Sequence, residues 1–268
     1  MKRNKNGQTL EEFLAAYQPG DYENPSVTVD MLIFGVNETK DKLKILLIQR
    51  QDHPYIDCWA FPGGFINIEE SAYTAACREL KEETGLTDVY MEQLYTFSQP
   101  DRDPRTRVID IAYMALLPET TVTAGDDAKD AAWFDVTMTE DVLTIENTEK
   151  NVSMRYRLEA KDFKNGVITI SNKVPVLESE DALAFDHSEI LYEGICRLRN
   201  KVRYTDIAFN LLPPTFTMPE VKAVYELILG DHLFLKQINR MTADYVKQIG
   251  EQAPNRNGGR PAKLYTHI

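Results

Sequence analysis

The chain has 268 residues, 43% hydrophobic and 27% charged, a composition that excludes disordered, collagen-like and coiled-coil classes and allows one large domain or two ordinary ones. The net charge of −12 argues against a nucleic-acid partner. That charge is uneven, however: residues 1–194 carry −17 and the stretch from Arg197 onward carries +5, so an acidic body precedes a basic part suited to a different partner. The chain order begins with Thr9-Leu-Glu-Glu12, a capping box that opens a short helix, EEFLAAY, stopped by Pro19-Gly20. SVTVDMLIFGV (26–36) and LKILLIQR (43–50) read as two strands of a hairpin, and HPYIDCWAFPGGF as a loop punctuated by proline and glycine. EESAYTAACRELKEETG (69–85) is a helix built of strong formers, with Gly85 at its C-terminal stop. Residues 91–98 and 107–118 read as strands around the polar loop QPDRDPRT, 131–136 as a short strand, and 155–161 with 166–171 as a hairpin turning at Asp162–Asn165. Residues 188–204 are helical. Beyond Leu211-Leu-Pro-Pro214, MPEVKAVYELILG (218–230) and LFLKQINRM (233–241) read as two helices joined by a tight turn. ADYVKQIG and AKLYTHI then read as strands flanking the basic loop EQAPNRNGGRP. Helix, turn, helix, strand, basic loop, strand is the order of a winged helix.

No stretch approaches the ~20 apolar residues of a membrane span, so no membrane partner is expected. The opening MKRNKNGQTLEEF has no apolar run behind its basic residues and reads as no secretory signal. Cys58, Cys77 and Cys196 show no CxxC spacing, which fits reduced thiols and a cytoplasmic protein.

The chemistry concentrates in residues 64–86. At about 100° per residue, Glu82 lies about 60° to one side of Glu79 and Glu83 about 40° to the other, so the three carboxylates share one helix face. Like charges at this spacing repel. A hard divalent cation binds through such oxygens, whereas the bland reading is a solvated acidic face. The cluster alone leaves both open.

The flanking residues resemble the Nudix hydrolase family. Its signature is Gly, five residues, Glu, seven residues, then Arg-Glu-apolar-x-Glu-Glu-x-Gly-apolar. The chain has Gly64, Glu70 and Arg78-Glu79-Leu80-Lys81-Glu82-Glu83-Thr84-Gly85-Leu86, matching every fixed position over 23 residues. The resemblance implies an α/β/α sandwich with a mixed sheet and hydrolysis of a nucleoside diphosphate linked to another moiety. It makes Glu82 and Glu83 the principal ligands of Mg²⁺ or Mn²⁺, Glu79 a further ligand or water-activating carboxylate, and the Gly64 carbonyl a possible ligand. Glu70 and Arg78 then hold loop and helix together. Arg50, ending a strand beside the loop, reaches a phosphate or is a surface arginine; Trp59 and Phe61 contact a base or pack. The loop with Arg102, Arg105 and Arg107 is similar to that of Nudix proteins acting on ADP-ribose, and arginines suit a diphosphate. Asp126 and Asp127 are weak candidates for a general base.

The rest resembles the Nudix-related transcriptional regulators of the NrtR family, through LAFDHSEIL, FTMPEVKAVYELILG, LKQINR and GGRPAKLYTHI. The fold expected is therefore α+β, with a Nudix domain over 1–150, an added hairpin and connecting helix over 151–204, and a winged helix over 205–268. The resemblance implies binding to double-stranded DNA, and since one recognition helix makes only a few phosphate contacts, useful affinity requires a homodimer that presents two. Lys236, Gln237, Asn239 and Arg240 are its recognition-helix candidates, and Arg256, Arg260 and Lys263 its wing candidates. Two departures stand out: the box is intact where many such regulators have a degenerate one, and Arg240 is followed by Met241 where two adjacent arginines are usual. Three readings follow. They are an ADP-ribose hydrolase that also binds DNA, a non-catalytic ADP-ribose-responsive repressor, and a hydrolase whose C-terminal part serves assembly alone.

Overall fold

The computed structural model describes residues 2–18, 20, 23–118, 128–253 and 261–268, without the side chains of 251–253. Asp126, Asp127, Arg256 and Arg260 lie outside the described residues. The Thr9 capping box is present and opens α1 (Leu10–Ala16). β1 (Ser26–Val36) and β2 (Leu43–Arg50) pair antiparallel as expected. The stretch read as a loop contributes two short strands, β3 (Trp59–Ala60) on β2 and β4 (Gly63–Phe65) on β1. Next come α2 (Ala72–Thr84), β5 (Tyr90–Phe97) and β6 (Val108–Leu116), with β6 running parallel to β1.

The expected strand at 131–136 extends to Ala128–Met138 (β7) and is followed by a strand not foreseen, β8 (Val142–Asn147). The next hairpin, β9 (Val152–Asn165) and β10 (Ile168–Leu177), is longer than expected and turns at Gly166-Val167 rather than at 162–165. Gly166 has φ +61°, which glycine adopts without steric cost and which a two-residue hairpin turn requires. Among the described residues the sheet order is β10-β9-β8-β7-β2-β1-β6-β5, with β3 and β4 off this path.

Alternation along β1 sets the layers. Val29, Met31 and Ile33 face α2 through Ala75, Ala76 and Leu80. Leu32, Phe34 and Val36 face the opposite way, into a core shared with Ile190, Leu191, Ile195 and Leu198 of α3 (His187–Lys201). Helix–sheet–helix layering in an α+β chain follows directly.

After a 3₁₀ turn over Ile207–Leu211, the C-terminal part comprises β11 (Phe216–Thr217), α4 (Met218–Leu229), α5 (Leu235–Met241), β12 (Val246–Ala253) and β13 (Ala262–His267). β13 pairs with both β11 and β12. The strand β12 begins and ends three residues later than the sequence suggested. Val221, Val224, Tyr225 and Ile228 of α4 belong to the same hydrophobic core as α3 and the sheet. The winged helix is therefore packed onto the body rather than tethered to it. No helix among the described residues is long and apolar enough to cross a membrane.

Candidate functional site

α2 begins at Ala72, not Glu69, because Ser71 is the cap: its Oγ accepts from the Thr74 amide at 3.1 Å. Glu70 thus stays outside the helix. It accepts from the Asn67 amide at 2.8 Å and takes a two-point bond from Arg78, at 2.7 and 3.1 Å. The hydrogen bonds from Arg78 hold the Glu70 carboxyl at about 2. Arg78 also donates to Glu79 (2.8 Å), Glu82 (2.9 Å) and the Phe65 carbonyl (3.2 Å). One guanidinium thereby ties the β4 loop to the helix.

Glu79 and Glu83 are buried; the Glu82 side chain is 58% exposed and turns toward Arg78. A Cβ at Gly64 would sit 2.2 Å from Oε1 of Glu79, so glycine is required for the carboxylate to lie against this strand. Burial pushes the Glu79 carboxyl up, against the pull of Arg78. Buried carboxylate oxygens beside a bare backbone are the donor type that a hard divalent cation takes. Among the described residues, no three His, Cys, Asp or Glu side chains are gathered at ligating distance.

These groups open into a cavity of about 450 Å³ that Arg50, Phe61, Gly64, Glu79, Glu83, Arg102 and Arg105 all line. Two expected members stand apart. Glu82 does not line the cavity. Nor does Arg107, which donates to the carbonyls of Gln99 and Val108, both at 3.1 Å. Arg50 lies over the ring of Phe185, 5.0 Å from its centroid, and donates to the Pro54 carbonyl at 2.8 Å. Arg105 bonds Asp103 at 2.7 and 3.0 Å. Burial pushes the Asp103 carboxyl up, but the Arg105 bonds prevail and hold it below its usual range. Phe61 is in the core, stacked on His187 with ring centroids 5.1 Å apart, and Trp59 packs against Phe134.

The sequence reading missed Asp30, Asp103, Phe185 and His187, all of which line the cavity. The signal for two of them was present in LAFDHSEIL, a run matched to a family without a role for its Phe or His. Asp30 neighbours a buried Asp110, whose carboxyl is raised well above the usual range by burial first and then by the charge of Asp30. Burial opposes ionisation of Asp30, but His187 and Arg102 outweigh it and lower its pKa. The two carboxyls of the pair are thus pushed in opposite directions.

In the C-terminal part, Lys236, Gln237, Asn239 and Arg240 of α5 are all exposed while Ile238 between them is buried. Gln237 has a structural task as well: its Oε1 accepts from the Phe234 amide at 2.7 Å. Lys263 is exposed on β13.

The layered fold, the box and the appended helices define a two-part class of protein. The NUDIX domain family matches residues 26–156, and the NrtR DNA-binding winged helix domain matches residues 208–267. The chain is 34% identical over 263 residues to the ADPR responsive transcriptional repressor NtrR of Acinetobacter baylyi, covering 97% of this chain and 89% of that protein. Shewanella oneidensis NrtR, solved in complex with a 27mer DNA, superposes with a TM-score of 0.66 at 27% identity, covering 90% of this chain and 93% of that one. An ADP-ribose pyrophosphatase of Methanocaldococcus jannaschii is 44% identical over 115 residues, 43% of this chain and 64% of that protein. The chain belongs to the NrtR family, in which a Nudix domain precedes a winged helix.

Proposed function

We propose that this chain is an ADP-ribose-responsive regulator that binds double-stranded DNA as a homodimer through its winged helix, with the two parts dividing near residue 204. The observation that carries the reading is the cavity: a space of about 450 Å³ with Arg50, Arg102 and Arg105 on its wall, in a chain whose winged helix shares the body's hydrophobic core. Arg50 and Arg105 suit the diphosphate by charge and planar geometry. Lys236, Asn239 and Arg240 would meet DNA in the major groove, and Lys263, with the sequence candidates Arg256 and Arg260, would contact phosphates. Such a regulator works in the cytoplasm. The relatives named for ADP-ribose at 34% and 44% identity support the ligand.

A second activity is favoured by the intact box, with Glu79 buried against Gly64 and Glu83 buried on the same cavity wall. In this reading Glu79, Glu83 and the Gly64 carbonyl would hold Mg²⁺ or Mn²⁺ at the cavity, Glu82 would join them on turning away from Arg78, and ADP-ribose would be cleaved at its diphosphate. When bound, the cation neutralises phosphate charge and lowers the pKa of water. Arg78 positions the carboxylates; Glu70 positions Arg78.

Two assays test the proposal. Fluorescence anisotropy on a duplex of the gene's own upstream region, with and without ADP-ribose, is expected to show binding that the ligand alters. Chromatography of ADP-ribose incubated with protein and Mg²⁺ is expected to show two monophosphate products. No affinity for that duplex above a scrambled one at low salt would overturn the regulatory reading and favour assembly. Intact ADP-ribose would overturn hydrolysis alone.

A further inference from the structure

In the cavity wall, one buried cation joins the pocket to the helix that carries the winged helix. The Arg102 side chain is 4% exposed and bonds Asp186 at two points, Nη2 to Oδ1 at 2.7 Å and Nε to Oδ2 at 2.9 Å. The same Nη2 faces Oδ2 of Asp30 at 3.5 Å. Asp186 stands at the N-cap of α3 yet makes no capping bond with its side chain. Its carboxylate is committed to Arg102, and only its main-chain carbonyl receives the Glu189 and Ile190 amides, at 2.9 and 3.2 Å. The next residue, His187, is 2% exposed. Its Nδ1 accepts from the Phe61 amide at 2.9 Å, and its Nε2 faces Asp30 at 3.4 Å. The start of α3 is therefore seated by charged groups of the pocket, not by its own sequence.

The other end of α3 is seated on the winged helix. Arg199 donates to the Met138 carbonyl of β7 at 2.6 Å and to the Ile228 carbonyl in the last turn of α4 at 3.0 Å. Between the two ends, a Cβ at Gly194 would lie 2.0 Å from Cδ2 of Leu32, so α3 presses directly on the sheet. A helix of 15 residues is about 22 Å long and stiff, and a shift at one end reaches the other.

We propose that the Arg102–Asp186 pair is a latch: a diphosphate ligand in the cavity draws Arg102 from Asp186, and the released start of α3 reorients the winged helix. The inference rests on the reading of the cavity as an ADP-ribose site. Arg102 is shared between the carboxylates of Asp30 and Asp186 already, and phosphate oxygens compete for the same planar donors. The incoming anion also adds negative charge beside Asp30, Asp103 and Asp186. A ligand shifts an equilibrium only by its differential affinity for the two states, and the latch supplies that difference. Coupling is reciprocal, so DNA weakens ADP-ribose binding by the factor by which ADP-ribose weakens DNA binding.

The test uses the full chain, ADP-ribose and the upstream duplex. In the wild type, saturating ADP-ribose is expected to weaken DNA binding about 5- to 150-fold, the usual span of allosteric coupling. Asp186→Asn keeps size and removes the charge that holds Arg102. It mimics the released state, so it should bind DNA about as weakly as the ADP-ribose-bound wild type and bind ADP-ribose at least as tightly as the wild type, while the coupling factor falls toward one. A wild-type coupling factor in a folded Asp186→Asn protein overturns the latch. Hydrogen exchange on the wild-type chain gives a second readout that needs no variant: the Glu189 and Ile190 amides should exchange faster when ADP-ribose is bound. Unchanged exchange there with the pocket saturated by calorimetry also overturns it. Absence of any ADP-ribose binding overturns the ligand assignment and the latch together, whereas binding without either change overturns the latch alone.

Discussion

α2 and α3 lie on opposite faces of one sheet and have similar lengths, 13 and 15 residues, but their N-termini are held by opposite means. α2 is capped by its own neighbour, Ser71, and stopped by the left-handed Gly85. Arg78, from within the same helix, gathers the surrounding carboxylates. α3 starts at an Asp whose carboxylate serves an arginine 84 residues away. The first helix is locally encoded and presents fixed chemistry. The second is seated by the tertiary structure and depends on the state of the pocket. That difference suits one helix to binding and the other to transmission.

The sharpest way to break this contrast is at its two arginines. Arg102→Met leaves Asp30 and Asp186 without their guanidinium in a buried site, and we predict a loss of about 3–5 kcal/mol of stability by denaturant unfolding. Arg78→Met removes three ion pairs of a side chain that solvent partly reaches, worth about 0–1 kcal/mol each, while loosening the box. Equal losses from the two would erase the distinction. Second in size is Glu83→Gln. Hydrolysis of ADP-ribose should fall about 10²-fold or more, near 2.7 kcal/mol of barrier, with the melting temperature held. Wild-type turnover in this variant would remove Glu83 from the metal site.

Arg240→Ala sharpens the comparison at the far end of the transmission path. If Arg240 reads a base, operator binding should weaken by about 1–3 kcal/mol in anisotropy titrations, with relaxed specificity at one position. A uniform loss across all duplexes would mark a phosphate contact instead. Ser71→Ala tests the local cap of α2 and should cost about 1 kcal/mol of stability. The smallest effect concerns Asp110. A carboxyl raised on folding binds more protons folded than unfolded, so it costs stability as pH climbs above the usual carboxylate range. Asp110→Asn should therefore leave acid stability near wild type and raise it slightly at neutral pH. A neutral-pH loss in the melting curve would mean that Asp110 works as a charged group.

Local rules account for what could be read in the chain. The capping box at Thr9, the helix bearing Glu79, Glu82 and Glu83, and its stop at Gly85 all depend on residues within a few positions of one another. The exceptions are local too: the hairpin turn was misread because Asp162–Asn165 has turn composition, yet Gly166 alone supplies the positive φ. Site membership is a different matter. Arg102, Arg105 and Arg107 are indistinguishable in a polar loop, but burial assigns the first to Asp186 and the second to Asp103, and leaves the third outside the cavity.

The sequence by itself determined that the chain has a box of carboxylates on one helix face and a winged-helix order after it, because helical period and turn chemistry act over short spans. Only the tertiary structure decided which carboxylates are buried, which arginine is shared, and that Asp30 and His187 belong to the same site. Those properties arise from desolvation and charge pairing between residues far apart in the chain, and no local pattern records them.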